Sequence, residues 1–376
     1  MPDTERVLHV LNSMNCGGAE SLIMNILRNI DREKYAFDFL VNEAGEMYYY
    51  QSEIEQLGGR IYRMKNLKKL GPYLYTKKLT EFFSAHPEFK IVHSHLETTT
   101  GIILACAKKA GIPLRIAHAH NSRFTRTGLA AVPENLYKNR CRGKIKSAAN
   151  CLLACSECAA RWLYPGYYER ATVLKNGIDA EKFRFNSEMR QQMGEELDVG
   201  QDTAVLMHTG RFCDQKNHLF LLDVFSAYHG KNKNSVLLMV GEGPLKNTAI
   251  EKVKKLKIDD CVRFLGLRDD VERLLQRADV FLLPSKFEGL PLALVEAQCS
   301  GADCLVSDTV TREADFGGAP LRFLPLDNAE IWARNIKKSG ADRTDSWKKA
   351  VSAGYDIKST AKEVEGIYDK LPSVSK

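Results

Sequence analysis

Asp279–Ser307 reads DVFLLPSKFEGLPLALVEAQCSGADCLVS. It opens on Val280-Phe281-Leu282-Leu283, an apolar run of the length of a buried strand. Pro284 and Ser285 end that run, and Glu288-Gly289-Leu290-Pro291 marks a tight turn into a helix, with Pro291 preset for the first helical turn. The helix directs Leu292, Leu294 and Val295 inward and carries Glu296 about one turn past its start. Gly301 stops it, and Cys304-Leu305-Val306 supplies a second apolar run. Strand, loop, helix and strand in this order form the βαβ block of a parallel sheet.

Two carboxylates stand out in this block. Glu288 lies on the loop beyond a strand's carboxyl end, where open α/β sheets bind ligands. Glu296 lies within the helix that follows, in the apolar setting Leu294-Val295-Glu296-Ala297, a poor place for a charge with no task. The amides between them, Gly289 to Ala293, open a helix and suit an anion. Amides for phosphate and carboxylates for hydroxyl groups together suit a sugar nucleotide. The plainer alternative is a solvated loop residue and a surface helix charge.

The remainder of the chain repeats the alternation. At 376 residues it has room for two domains. Strands are expected at Arg6–Asn12, 37–41, 60–64, 90–93, 114–118 and 151–154, with helices between them, in a doubly wound pattern. Asn176-Gly177 predicts a turn closing the first domain, and the polar stretch to Asp202 reads as a connection. A second strand series starts at Thr203, with a final amphipathic helix over 361–371. Residues 1–180 hold 25 Lys+Arg and 17 Asp+Glu, and residues 181–376 hold 29 and 30. The net charge of +7 therefore resides in the first half, which favours an anionic partner there, such as a membrane surface or a phosphate-bearing acceptor. A solvated basic face is the equal alternative. Residues Glu134–Asn150 form a basic helix candidate with Lys138, Arg140, Arg142, Lys144 and Lys146, preceded by Arg123 and Arg126. Nucleic acid is disfavoured, since no stacking platform accompanies the charges. A polar start without a secretory leader, no span of bilayer length, and ten cysteines lacking a regular framework point to a cytosolic chain with reduced thiols.

Several loops could carry chemistry. Gly17 and Gly18 separate the first strand from its helix and would let backbone approach a phosphate, although the GxGxxG fingerprint is incomplete. This omission counts against a nicotinamide oxidoreductase. Gly210-Arg211 follows a strand end and Lys216 comes five residues later. A guanidinium fork and an ammonium point charge can neutralise a diphosphate from two directions. Gly241-Glu242-Gly243 follows the next strand. The pairs His93/His95 and His118/His120 end two strands, each pair on one face. Without accompanying carboxylate or cysteine at ligand spacing they are not read as a metal centre. For His118 a strand-end histidine satisfied by neighbouring loops is preferred.

The set Gly17-Gly18-Ala19-Glu20, His120-Asn121-Ser122, Asn176-Gly177-Ile178-Asp179, Gly210-Arg211 with Lys216, Gly241-Glu242-Gly243, and Glu288-Gly289-Leu290-Pro291 with Glu296 resembles, over nearly the whole chain, the retaining GT-B glycosyltransferases with an E-x7-E signature. The likeness is greatest to the bacterial capsule, exopolysaccharide and lipopolysaccharide sugar transferases. It implies two Rossmann-like domains with an interdomain cleft: residues 1–178 as acceptor domain, with a terminal helix near 356–376 packing back on it, and 179–355 as donor domain. It implies a UDP-hexose or UDP-N-acetylhexosamine donor, a saccharide acceptor that is lipid-linked, and no metal or separate cofactor. In this reading His120 lies by the anomeric carbon, while Arg211 and Lys216 neutralise the leaving diphosphate. Glu288 binds sugar hydroxyls and Glu296 the ribose. Gly17, Gly18, Gly210, Gly241, Glu242, Gly243, Leu265, Gly289 and Leu290 contact the nucleotide sugar. A nucleotide-sugar 2-epimerase and a non-catalytic sugar-nucleotide-binding subunit share the fold and are the alternatives.

Overall fold

The computed structural model describes residues 4–15, 17–42, 47–124, 132–337 and 342–371. The chain divides into two compact units, Met1–Gly177 with Ile357–Lys376, and Ile178–Asp356.

In the first unit the elements run β1 (Glu5–Leu11), α1 (Gly18–Asn29), β2 (Tyr35–Asn42), α2 (Gln51–Gln56), β3 (Ile61–Met64), α3 (Leu67–Ala85), β4 (Ile91–Ser94), α4 (Thr100–Lys109), β5 (Leu114–Ala119), α5 (Val132–Ala148), β6 (Cys151–Ala154), α6 (Glu157–Leu163) and β7 (Thr172–Val173). The strands order β3-β2-β1-β4-β5-β6-β7, and their pairings are parallel. With helices covering both faces, β1 is buried from Val7 to Leu11 without alternation, as fully covered parallel strands require. His9 shares that burial. Helix α5 buries Cys141, Ile145 and Ala148. Its backbone comes so near α4 that a Cβ on Gly101 would strike the Cys141 carbonyl. Arg140, Lys144 and Lys146 remain exposed, whereas Lys138 pairs with Glu134 at 2.8 Å and Arg142 donates to the Trp162 carbonyl at 2.8 Å. Arg126 lies outside the described residues.

The second unit contains α7 (Ser187–Glu196), β8 (Ala204–Thr209), α8 (His218–Lys231), β9 (Ser235–Val240), α9 (Lys246–Leu256), β10 (Val262–Gly266), α10 (Val271–Arg277), β11 (Val280–Leu283), α11 (Leu292–Cys299), β12 (Asp303–Ser307), β13 (Leu321–Leu324), α12 (Ala329–Asn335) and α13 (Ser346–Ser352). Its strand order is β10-β9-β8-β11-β12-β13, again parallel. Leu206, Phe212, Leu221, Phe225, Leu282 and Trp332 belong to its hydrophobic core. In each sheet the order reverses beside the first strand, between β1 and β4 and between β8 and β11. Ligands bind at such switch points in open α/β sheets.

Helix α14 (Ile357–Tyr368) returns the chain to the first unit. Val364, Ile367 and Tyr368 are buried there, Glu365 accepts from the Asp31 amide at 2.8 Å, and the Tyr35 hydroxyl donates to Asp369.

Three expectations are corrected. The stretch leading to Asp202 is more than a connection, since it folds as α7. Arg190 of that helix ion-pairs with Asp279 at 2.6 Å. Asn176-Gly177 makes no turn: the backbone there is irregular. The glycine is needed because a Cβ would meet Thr360 and Ile357 of α14. Pro291 caps α11 rather than entering its first turn.

Candidate active site

In the second unit the loops that leave β8 and β11 are stitched together. Gln215 donates to the Phe287 carbonyl at 3.0 Å and to Glu288 Oε2 at 3.3 Å, and the Lys286 amide donates to the Gln215 carbonyl at 2.8 Å. The Lys216 ammonium donates to Glu288 Oε1 at 2.7 Å, with both side chains largely buried. Lys216 and Glu288, read from sequence as separate ligands, are thus partners. Arg211 is exposed on the same loop, and its guanidinium makes no ion pair among the described residues.

Two glycines of the neighbouring loop are there because backbone meets backbone. A Cβ on Gly241, at φ 134°, would collide with the Gly210 carbonyl, and one on Gly243 would lie 2.5 Å from the Phe212 carbonyl. The Phe212 amide donates to the Glu242 carbonyl at 3.0 Å, and the Gly241 amide to the Gly266 carbonyl at 2.7 Å. Leu265 stands at the end of β10, beside that contact. Gly289 and Leu290 are buried between Glu288 and α11. Glu296, in α11, keeps part of its surface open. Burial and, second, the nearby Glu272 raise its carboxyl to about 7, with Lys182 opposing.

Sequence reading missed the polar lining beneath this loop set. His208 donates from Nδ1 to the Leu282 carbonyl at 2.7 Å. Its Nε2, Thr209 Oγ1 and Ser285 Oγ are buried without hydrogen-bond partners among the described residues. Burial lowers His208 to about 4, so it stays neutral. A strand-end position two residues before Gly210 was the available signal.

In the first unit Gly17 caps α1 in extended conformation, just beyond the end of β1. His120 follows β5; Nε2 of this histidine lies 2.8 Å from His95 Nδ1. His95 and His118 are held by other histidines rather than by loops, because His9 Nδ1 lies 3.1 Å from His95 Nε2 and His93 Nε2 lies 3.2 Å from His118 Nδ1. Glu97 was not foreseen. It adopts φ 48°, and its Oε1 accepts from the His120 amide and from Asn121 Nδ2, each at 3.0 Å. Burial raises its carboxyl to about 8. A pocket of about 650 Å³ opens beside it, lined by Asn12, Asn42, Asn66, Asn121 and Trp162 among others.

Comparison with known proteins agrees with this architecture. The family profile "Glycosyltransferase Family 4" matches residues 16–182, and "Glycosyl transferases group 1" matches residues 203–341. The putative glycosyltransferase EpsF of Bacillus subtilis is 32% identical over 346 residues, spanning 90% of this chain and 88% of that one. An Escherichia coli UDP-Gal:alpha-D-GlcNAc-diphosphoundecaprenol alpha-1,3-galactosyltransferase is 28% identical over 59% of this chain and 58% of its own. Among solved structures, Anabaena HepE in complex with UDP and glucose superposes with TM-score 0.77 at 16% identity, covering 98% of this chain and all of the other. Two doubly wound parallel-sheet units with loop sites at their switch points define the GT-B class of fold. The chain belongs to the glycosyltransferases of that fold.

Proposed function

We propose that this glycosyltransferase moves a hexose or N-acetylhexosamine from a UDP-sugar to a saccharide acceptor, retaining the anomeric configuration, in the assembly of a surface polysaccharide. The observation that carries the reading is the Lys216–Glu288 pair beside the exposed Arg211 at the carboxyl end of β8. Lys216 and Arg211 stabilise charge on the departing diphosphate, the contribution expected to dominate the rate. The amides that open α11 assist, and no metal or separate cofactor is needed on the diphosphate. Glu288 receives sugar hydroxyls, Glu296 the ribose, and His120 stands by the anomeric carbon. Gly17, Gly18, Gly210, Gly241, Glu242, Gly243, Leu265, Gly289 and Leu290 line the donor. A donor phosphate oxygen takes the acceptor proton.

The donor assignment is supported by HepE, solved with UDP and glucose, and by the galactosyltransferase whose name specifies UDP-Gal and a diphosphoundecaprenol-linked acceptor. Staphylococcus aureus CapH, a capsular polysaccharide biosynthesis glycosyltransferase 24% identical over 96% of this chain, supports the polymer. The asparagine-lined pocket suits saccharide hydroxyls. A lipid-linked acceptor fits the exposed Arg140, Lys144 and Lys146 of α5, which would rest on the anionic inner face of a membrane from the cytoplasm. No helix among the described residues is long and apolar enough to cross one.

A panel of UDP-, GDP- and ADP-sugars tests the donor: thermal stabilisation is expected with a UDP-hexose or UDP-N-acetylhexosamine. NMR of the new anomeric centre tests retention. Stabilisation confined to GDP- or ADP-sugars refutes the donor, and an inverted product refutes the stereochemistry. Loss of liposome retention at low salt with α5 intact would refute the membrane contact.

A further inference from the structure

Five histidines converge near the carboxyl ends of β1, β4 and β5, and the transfer reaction uses one of them. We propose that His95, His118 and His120 form a binding site for a divalent cation of the zinc class, with His9 and His93 orienting the ligands from behind.

The geometry is close to what such an ion needs. Ligating nitrogens of the three side chains all lie within 4.8 Å of one another. A tetrahedral zinc with nitrogens at about 2.0–2.1 Å separates them by about 3.3–3.4 Å. His95 Nδ1 and His120 Nε2 are 2.8 Å apart across one shared proton, so the cation replaces that proton with a small spreading of the rings. His118 contributes the independent sign. Its Nε2 is buried and has no hydrogen-bond partner among the described residues, a loss of about 1–3 kcal/mol that a cation would remove.

The outer shell is built as metal-bound imidazoles require. His118 holds His93 through Nδ1, and His95 holds His9 through Nε2. Both outer histidines end on one hydroxyl, that of Tyr368 in α14, at 2.9 Å from His93 Nδ1 and 3.4 Å from His9 Nε2. Each ring therefore has its tautomer tied to the next. All-imidazole ligation selects zinc, cobalt or nickel over magnesium and calcium, which prefer oxygen. His120 is only partly buried and leaves a side for entry and a fourth ligand. The deeper trio His9, His93 and His95 also has its nitrogens within 4.8 Å. There, however, the ring nitrogens are already paired, and His9 and His93 are fully buried.

The test is cobalt titration of the chelator-stripped, full-length chain, read by visible d–d absorption, with zinc as competitor and circular dichroism as the check on folding. A single equivalent of Co2+ is expected to bind, to be displaced by Zn2+ and to resist excess Mg2+. His118→Ala and His120→Ala are expected to abolish the band, and His9→Gln to weaken binding about tenfold. If His118→Ala does not fold, His120→Ala decides, its ring being the outermost. A folded wild-type chain with no cobalt spectrum overturns the proposal. So does a His118→Ala protein that binds normally while His93→Ala does not, since that places the ion at the deeper trio.

Discussion

Lys216 and Glu288 show how a contact changes the meaning of a residue. The two form an ion pair of largely buried side chains, and removing one takes away the other's opposite charge at a cost of about 3 kcal/mol. Lys216→Ala and Glu288→Ala are each expected to cut turnover by orders of magnitude with the fold retained. The double variant should be more stable than the sum of the single losses predicts, as measured by denaturant titration of all four proteins. Glu296 gives a pH signature. Its carboxyl is raised from about 4.5 to about 7 in the folded chain, so between these values the native state binds the extra proton and stability falls as pH rises. Glu296→Gln is therefore expected to stabilise the donor-free protein more at pH 8 than at pH 5, by at most about 3 kcal/mol given about 1.4 kcal/mol per unit. It should also weaken donor binding. Equal melting shifts at both pH values would contradict the burial argument. Strand-end position singled out Glu288 in the sequence, and apolar neighbours singled out Glu296. That Lys216 and Glu288 touch was not, because they are 72 residues apart and meet only once β11 is laid beside β8.

At the scale of elements, the strand–loop–helix–strand block from Val280 to Ser307 was readable because its apolar runs are short and bounded by proline and glycine. Helix α7 escaped because it lacks an apolar stripe: Met193 and Gly194 are its buried residues, and charged contacts such as Arg190 with Asp279 and Arg273 with Glu196 hold it. The two-residue β7 is too short to show a period. His9 was invisible for a different reason: one histidine in an apolar strand says nothing of a partner 86 residues away. The Gly241 loop yields a prediction of its own. Gly241→Ala puts a methyl group against the Gly210 carbonyl at positive φ, and is expected to destabilise by about 1–3 kcal/mol and to lower donor affinity. Gly230→Ala in α8, with nothing within 4 Å, is expected instead to stabilise by about 0.5–1 kcal/mol. Thermal melts with and without UDP-sugar distinguish the two.

For the whole molecule, the path of the chain couples its last helix to its first strand. Tyr368 of α14 touches His93 and approaches His9, and Tyr35 reaches Asp369. Ending the chain at Asp356 is expected to loosen β1, α1 and β4 while leaving β8 to β12 protected, as read by hydrogen exchange. Loss of protection in the second sheet instead would show that the two units do not fold on separate accounts.

The Lys216–Glu288 bridge has a consequence for turnover. Under the proposed function, an incoming sugar nucleotide would take the ammonium for its phosphates and offer hydroxyls to the carboxylate in exchange. Once the sugar had departed, the spent nucleotide would still hold the lysine while giving the carboxylate no hydroxyl in return. Re-forming the bridge would then help to eject the by-product, favouring a fresh donor over spent nucleotide.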